Sequence, residues 1–329
     1  MPILNGLFLK TYLVLSIINM TTILLTGGTG LVGRRLTHHL IAKGYKVIIL
    51  TRKIPTATQE QVEYATWDVS SQTIDVQAIQ KADYIVHLAG AGVVDKRWTD
   101  KYKKEIKDSR TQSSGLLVVT LQNNTNKVKA VISASAIGWY GADVINVGKQ
   151  KGFLETDKPA TDFLGETCRL WEESIEPVQK LGIRLVKLRT GIVLSNDGGA
   201  LTEFKKPIKM GIAGILGNGR QIVSWIHIDD LCRMFIAGIE NELMSGIYNA
   251  VAPEPVSNKV LTMELATLIK GRFFIPAYVP AFVLQLMLGE SSVEVLKSTT
   301  VSCEKIRQSG FTFLYPDIKH ALQQLCKPA

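Results

Sequence analysis

The run Thr22-Ile23-Leu24-Leu25-Thr26-Gly27-Gly28-Thr29-Gly30-Leu31-Val32-Gly33 admits few folds. Apolar and β-branched residues lead into glycines at Gly27, Gly30 and Gly33, and an amphipathic helix follows, so the line reads as a strand, a tight turn and a helix start. Glycine serves where a turn takes φ values closed to other residues, where backbone must touch a pyrophosphate, and where a helix packs closely on a strand. The helix N-terminus then offers Leu31, Val32 and Gly33 N–H groups, with Thr29 beside them, to the phosphates. Three glycines alone are a weak signal, matched equally by a tight turn with no ligand. Context strengthens the dinucleotide reading: roughly twenty residues on, a second strand Lys46 to Leu50 ends in Thr51-Arg52-Lys53, where such folds read the ribose.

Length and charge narrow the class. At 329 residues and 46% hydrophobic content the chain can bury a large core. The net charge of +9 is spread along the sequence, and its densest cluster, Lys96 to Arg110, also holds Asp100, Glu105 and Asp108. A mixed cluster is a solvated helix face, and without interleaved stacking aromatics no nucleic acid partner is expected. Cys168, Cys232, Cys303 and Cys326 form no close pairs, as in a reducing, cytoplasmic setting. No Cys/His cluster implies a metal. Between Lys10 and Arg34 no residue is charged, which resembles a membrane segment by hydropathy alone. Half of that window is the glycine-turn strand, and Met1 to Ile18 lacks a basic start and a small-residue cleavage site. Residues 1–19 are therefore expected to be an apolar extension outside the core, with no stable membrane insertion.

Strand-like runs recur at Lys46–Leu50, Tyr84–Leu88, Lys129–Ser133 and Arg184–Leu188, separated by helical stretches such as Lys101–Leu121 and Asp162–Leu181. This alternation predicts an α/β fold with a doubly wound parallel sheet, a Rossmann domain, over 20–250. Ligands of such sheets lie at the carboxyl ends of the strands, which here carry Ala89-Gly90, Ser133-Ala134-Ser135 and Arg189-Thr190-Gly191. Past Gly191 the alternation loosens into a glycine-rich stretch, so 191–221 is expected to contribute to a smaller substrate lobe completed by a C-terminal domain, 251–329. Val223–Ile228 reads as a returning strand, with Asp229-Asp230 capping a helix to about Ile239.

Several stretches in order resemble one family: Ile23–Gly33, Asp95–Trp98, Asp108–Arg110, Ser133–Gly141, Trp171-Glu172, Leu188–Leu194, Ser224–Ile228 and Ala252–Val256. The chain is similar to the extended and atypical short-chain dehydrogenase/reductases in their NAD-dependent epimerase/dehydratase branch. More narrowly it resembles the cell-division-inhibitor-like nucleoside-diphosphate-sugar epimerase group, which carries a small C-terminal domain of unknown function. The resemblance implies that Asp68-Val69 line the adenine and Leu88-Ala89-Gly90 the ribose, with Ser133 and Arg189 also at the cofactor. An NAD enzyme places a carboxylate at the end of the second strand, whereas Arg52 stands there in this chain, which predicts NADP(H).

The family's hydride chemistry uses a serine to polarise the substrate oxygen and a tyrosine general acid with a lysine four residues on. Ser135 matches the serine. Where the tyrosine and lysine belong the chain reads Phe163 to Glu172, with Leu164 and Cys168 in their places, and the Y-x-x-x-K at Tyr315–Lys319 contains a proline and follows the wrong elements. Tyr140 is the best substitute acid, with an aromatic lid as its alternative, and His227 is a second candidate or a structural group. Arg189 is equally readable as an internal ion pair, and Arg220, after Gly217-Asn218-Gly219, as the anchor of an anionic substrate. Two functions follow: an NADP(H)-dependent oxidoreductase or epimerase on a small polar carbonyl or hydroxyl compound, nucleotide sugars among the candidates, or a catalytically weak NADPH-binding sensor or interaction protein. Either would act as a monomer or homodimer.

Overall fold

The computed structural model describes residues 20–56, 61–143 and 152–327. The extension 1–19 lies outside them. The first half of the chain alternates as its pattern predicts: β1 Thr22–Thr26, α1 Leu31–Ala42, β2 Lys46–Thr51, β3 Val62–Asp68, β4 Thr73–Ile74, α2 Val76–Lys81, β5 Tyr84–His87, α3 Asp100–Asn123 and β6 Ala130–Ala136. Then come α4 Phe163–Ile175, β7 Arg184–Thr190, β8 Ile192–Leu194, α5 Ala200–Lys209, β9 Ile212–Leu216, β10 Ile222–Val223, β11 Trp225–His227, α6 Ile228–Glu240 and β12 Gly246–Ala250. The C-terminal part adds β13 Val256–Ser257, α7 Asn258–Lys270, β14 Ile275–Val279, α8 Ala281–Leu288, α9 Ser292–Leu296, α10 Glu304–Gln308 and α11 Ile318–Cys326.

Eight strands form the main sheet in the order β12-β7-β6-β5-β1-β2-β3-β4, parallel except for the β3–β4 pair. All five residues of β1 are buried between β2 and β5, with Ile23 opposite Val47 on one side and Tyr84 on the other. Successive side chains leave opposite faces of a strand, so Ile23 and Leu25 join the core under α1 and α6 while Leu24 joins the core under α2 and α3. The chain runs outward from β1 through β2 and β3, then returns to β5 on the other side of β1. That reversal opens a crevice beyond the carboxyl ends of β1 and β5.

The stretch after Gly191 is more regular than its composition predicts. β8 pairs with β11, β9 pairs with β14, and a third core unites Leu201, Ile208, Ala213 and Trp225 with Leu261, Leu265, Leu322 and Leu325. The returning strand expected at Val223–Ile228 is broken at Ser224, whose hydroxyl donates to the Thr299 carbonyl (2.8 Å) and accepts from Val301 N–H (3.0 Å). The helix that follows is capped by His227 rather than by Asp229-Asp230, which lie inside its first turn. The helical stretch expected over Asp162–Leu181 ends as an α-helix at Ile175 and tightens into a 3-10 turn from Glu176, where Pro177 supplies no N–H.

Candidate functional site

At the end of β1 the ligand-facing groups are backbone. Gly27 has φ +67°, and a Cβ there would lie 2.8 Å from the Leu88 carbonyl carbon. A Cβ on Gly33 would lie 2.6 Å from Gly28 Cα, so the helix can sit this close to the turn only without one. Gly30 N–H closes the turn on the Gly27 carbonyl (3.0 Å), and Gly30 caps α1 with no side-chain acceptor. The first N–H groups of α1, those of Leu31, Val32 and Gly33, are the ones a helix leaves unmatched, and exposed Thr29 stands beside them.

A buried network shapes the far wall of the turn. Thr26 Oγ1 accepts from the N–H groups of Leu88 (3.0 Å) and Ala89 (3.2 Å), which leaves its own proton for His87 Nδ1 at 2.8 Å. His87 is then protonated at Nε2 and donates to Ser114 Oγ (3.1 Å). Burial pushes its pKa down to about 3, so the ring is neutral. Neither Thr26 nor His87 is evident from the sequence; the only signal is a histidine ending an apolar strand ahead of small residues.

Arg52 is exposed at the end of β2, with no side-chain partner among the described residues. Asp68, at the end of β3, accepts from Ser70 N–H (2.9 Å) and Ser70 Oγ (2.6 Å), so its carboxylate orders a turn. Those two bonds hold it below the usual carboxylate range. Leu88, Ala89 and Gly90 line the crevice beside the glycine turn, and Gly90 is exposed.

At the ends of β6 and β7 the groups are side chains, and they face one another. Ser135 donates to Glu172 Oε1 (2.7 Å), which also accepts from Arg189 Nε (2.7 Å), while Arg189 Nη2 donates to Oε2 (3.0 Å). Arg189 is fully buried, its guanidinium 3.6 Å from the Trp139 ring centre, and Nη1 donates to Tyr140 Oη (3.0 Å). The expectation that Arg189 meets the cofactor is corrected: it is the internal ion pair. Tyr140 is 4% exposed, donates to Asn249 Oδ1 (2.6 Å) and stacks on Phe153. Burial pushes its pKa up to about 12, the reverse of what a substitute acid needs. His227 is also corrected: it is fully buried, its Nδ1 accepts from Asp229 N–H (3.1 Å), its Nε2 donates to Gln324 (3.0 Å), and its ring stacks on Tyr315. Burial lowers its pKa, so it is a neutral helix cap. Ser133 is buried and donates to the Ala134 carbonyl (3.1 Å). Arg220 is exposed and unpaired among the described residues, beside a turn in which Asn218 Oδ1 accepts its N–H (2.9 Å). Leu164 and Cys168 face the end of β6, where a Cβ on Gly138 would lie 3.1 Å from Leu164 Cβ and 3.5 Å from Cys168 Sγ. Burial pushes the Cys168 thiol up to about 12, leaving it inert.

Residues 23–250 match the family model described as NAD dependent epimerase/dehydratase family, and residues 279–325 match a domain of unknown function, DUF1731. An epimerase family protein of Staphylococcus saprophyticus is 37% identical over 303 residues, 92% of this chain and 98% of its own. The chain belongs to the NAD-dependent epimerase/dehydratase family. Among solved structures, a human epimerase family protein with NADPH matches at TM-score 0.80 and 26% identity, over 93% of this chain and 99% of that one. A nucleoside-diphosphate sugar epimerase from Corynebacterium glutamicum matches at TM-score 0.73 and 32% identity, over 93% of this chain and 58% of that one. The fold is thus an NAD(P)-binding Rossmann domain with an extra C-terminal domain.

The unknown-function segment is tied to the mouth of the crevice. Arg97 donates to the Leu286 and Met287 carbonyls at the end of α8, Lys103 pairs with Glu290 (2.6 Å), and Trp98 packs edge-on against Phe163 at 4.9 Å. The Asp95–Trp98 stretch therefore joins the two parts. Among the described residues no cluster could hold a metal, and no helix is long and apolar enough to cross a membrane.

Proposed function

We propose that this family member is an NADP(H)-dependent oxidoreductase or epimerase acting on a small polar carbonyl or hydroxyl compound. The carrying observation is Arg52: an exposed guanidinium, unpaired among the described residues, at the end of β2, where an NAD enzyme would present a carboxylate. The glycine turn, the uncapped start of α1 and the Leu88–Gly90 wall would hold the pyrophosphate and ribose, and Arg52 the 2′-phosphate. The NADPH bound by the human relative supports the same choice. When bound, the nicotinamide supplies or receives a hydride. The β5 and β6 ends would orient that ring, and Leu164, Cys168 and the Arg97–α8 contact would limit access of water to it.

A second reading, a catalytically weak NADPH-binding protein, is favoured by one arrangement. Ser135 gives its proton to Glu172 and Tyr140 gives its own to Asn249, while Leu164 and Cys168 occupy the helix face that a tyrosine and lysine would need. Fluorescence titration with NADPH and NADH tests the cofactor, with NADPH expected to bind about tenfold tighter or more. Turnover of NADPH across a panel of carbonyl compounds then separates the two: steady oxidation supports the enzyme, and tight binding without turnover supports the sensor.

A further inference from the structure

Two arginines stand behind the β5 and β6 ends, and among the described residues only one has a carboxylate partner. Arg189 has Glu172. Arg110, on α3, is flanked by Gly90, where a Cβ would lie 3.2 Å from its Cζ, and by the Trp171 ring, whose centre is 5.0 Å from Cζ. Its Nη1 donates to the Ile106 carbonyl (2.8 Å), one helical turn back; Nε and Nη2 have no acceptor among the described residues. Among the described residues no carboxylate reaches it there. The titratable groups near enough to act on it are Cys168 and Tyr102, both held neutral by burial, and burial also pulls the Arg110 guanidinium down. The indole of Trp171, 5% exposed, has its Nε1–H buried with no acceptor among the described residues.

A half-buried cation with no counter-charge among the described residues, stacked on a ring whose own buried N–H has no acceptor, leaves an acceptor oxygen missing. A neutral carbonyl would satisfy one donor and leave the charge. A carboxylate presents two oxygens in the plane that a guanidinium fork matches, with a further lone pair for the indole, and neutralises the cation. We infer that Arg110 and Trp171 seat a substrate carboxylate at the end of β5, making the substrate class a small hydroxy or oxo acid. This deepens the proposed function and rests on it for its catalytic meaning, since the seat lies beside the wall assigned to the cofactor ribose. Arg110 would place the acid so that its neighbouring carbon faces the strand ends; it moves no proton itself.

The test is calorimetric titration of the full chain with acetate, acetamide and inorganic phosphate at fixed ionic strength, with and without saturating NADPH. Saturable acetate binding is expected, with acetamide undetected and phosphate about tenfold weaker. Arg110→Lys, which keeps the charge and loses the fork, should weaken acetate about tenfold or more, and Trp171→Phe about threefold, while NADPH affinity in both stays within about twofold. Acetate affinity unchanged in Arg110→Lys, acetamide binding as well as acetate, or no saturable acetate binding would each overturn the inference. A parallel loss of NADPH affinity in Arg110→Lys would do the same, by making Arg110 a cofactor residue. Failure of the parent protein to bind NADPH would strike the proposed function while leaving the acetate result readable.

Discussion

The crevice is made of backbone at the end of β1, and of side chains at the ends of β6 and β7. In the first region Gly27, Gly30 and Gly33 bring N–H groups and a helix end forward, and the contacts that shape the turn lie within a few residues, apart from the Leu88–Ala89 wall and Ile49 against Gly28. In the second, Ser135, Glu172, Arg189, Tyr140 and Asn249 come from separate elements and satisfy one another. A backbone site stays open because its donors have no internal partner. A side-chain site of this composition closes on itself, because each buried charge or hydroxyl must be paired to be tolerated. The contrast explains why cofactor binding and catalysis need not be equally developed in this chain.

Substitutions at the two ends should fail differently. Gly33→Val would push side-chain atoms into Gly28 and is expected to abolish NADPH binding, a loss of about a hundredfold or more, with the far-ultraviolet circular dichroism of the fold retained. Retained affinity would show that the turn does not carry the pyrophosphate. Glu172→Ala strands the buried Arg189 cation and should cost about 3–5 kcal/mol in urea unfolding, with NADPH affinity nearly unchanged in the fraction that folds. A loss under about 1 kcal/mol would mean that the pair is solvated and the second region open to ligand.

Smaller effects sharpen the boundary between the regions. His87, on the backbone side, is neutral in the fold down to about pH 3, whereas an unfolded histidine takes up a proton near pH 6.5. Its contribution to stability is therefore complete above about pH 6.5 and lost as pH falls toward 3, at about 1.4 kcal/mol per unit. Urea titrations at pH 7 and pH 5 should show a loss about 2 kcal/mol greater in the parent than in His87→Gln. Ser135→Ala removes one hydrogen bond to a buried carboxylate and should cost about 2 kcal/mol. If instead stability holds while kcat falls, Ser135 serves the substrate and the second region opens during turnover.

What was legible in the sequence follows the same division. The glycine turn, Arg52 and the parallel sheet are local: a short run of residues states the strand, the turn and the helix start. The roles of Tyr140, Arg189 and His227 were not, because each is decided by a partner far along the chain, Asn249 for Tyr140 and Gln324 for His227. Nothing in the sequence marks Glu172 as the partner, 17 positions away, that makes Arg189 a core ion pair. The break at Ser224 was equally hidden, since Thr299 and Val301, which hold its hydroxyl, lie more than seventy positions on.

Arg52 is the point where the whole account can be tested with one comparison. Calorimetric titration of the parent and Arg52→Ala with adenosine 2′,5′-bisphosphate and with adenosine 5′-monophosphate isolates the 2′-phosphate from everything else in the crevice. The parent should prefer the bisphosphate by about tenfold or more, and Arg52→Ala should lose most of that preference while binding the monophosphate as before. Equal affinity of the parent for the two nucleotides would contradict it.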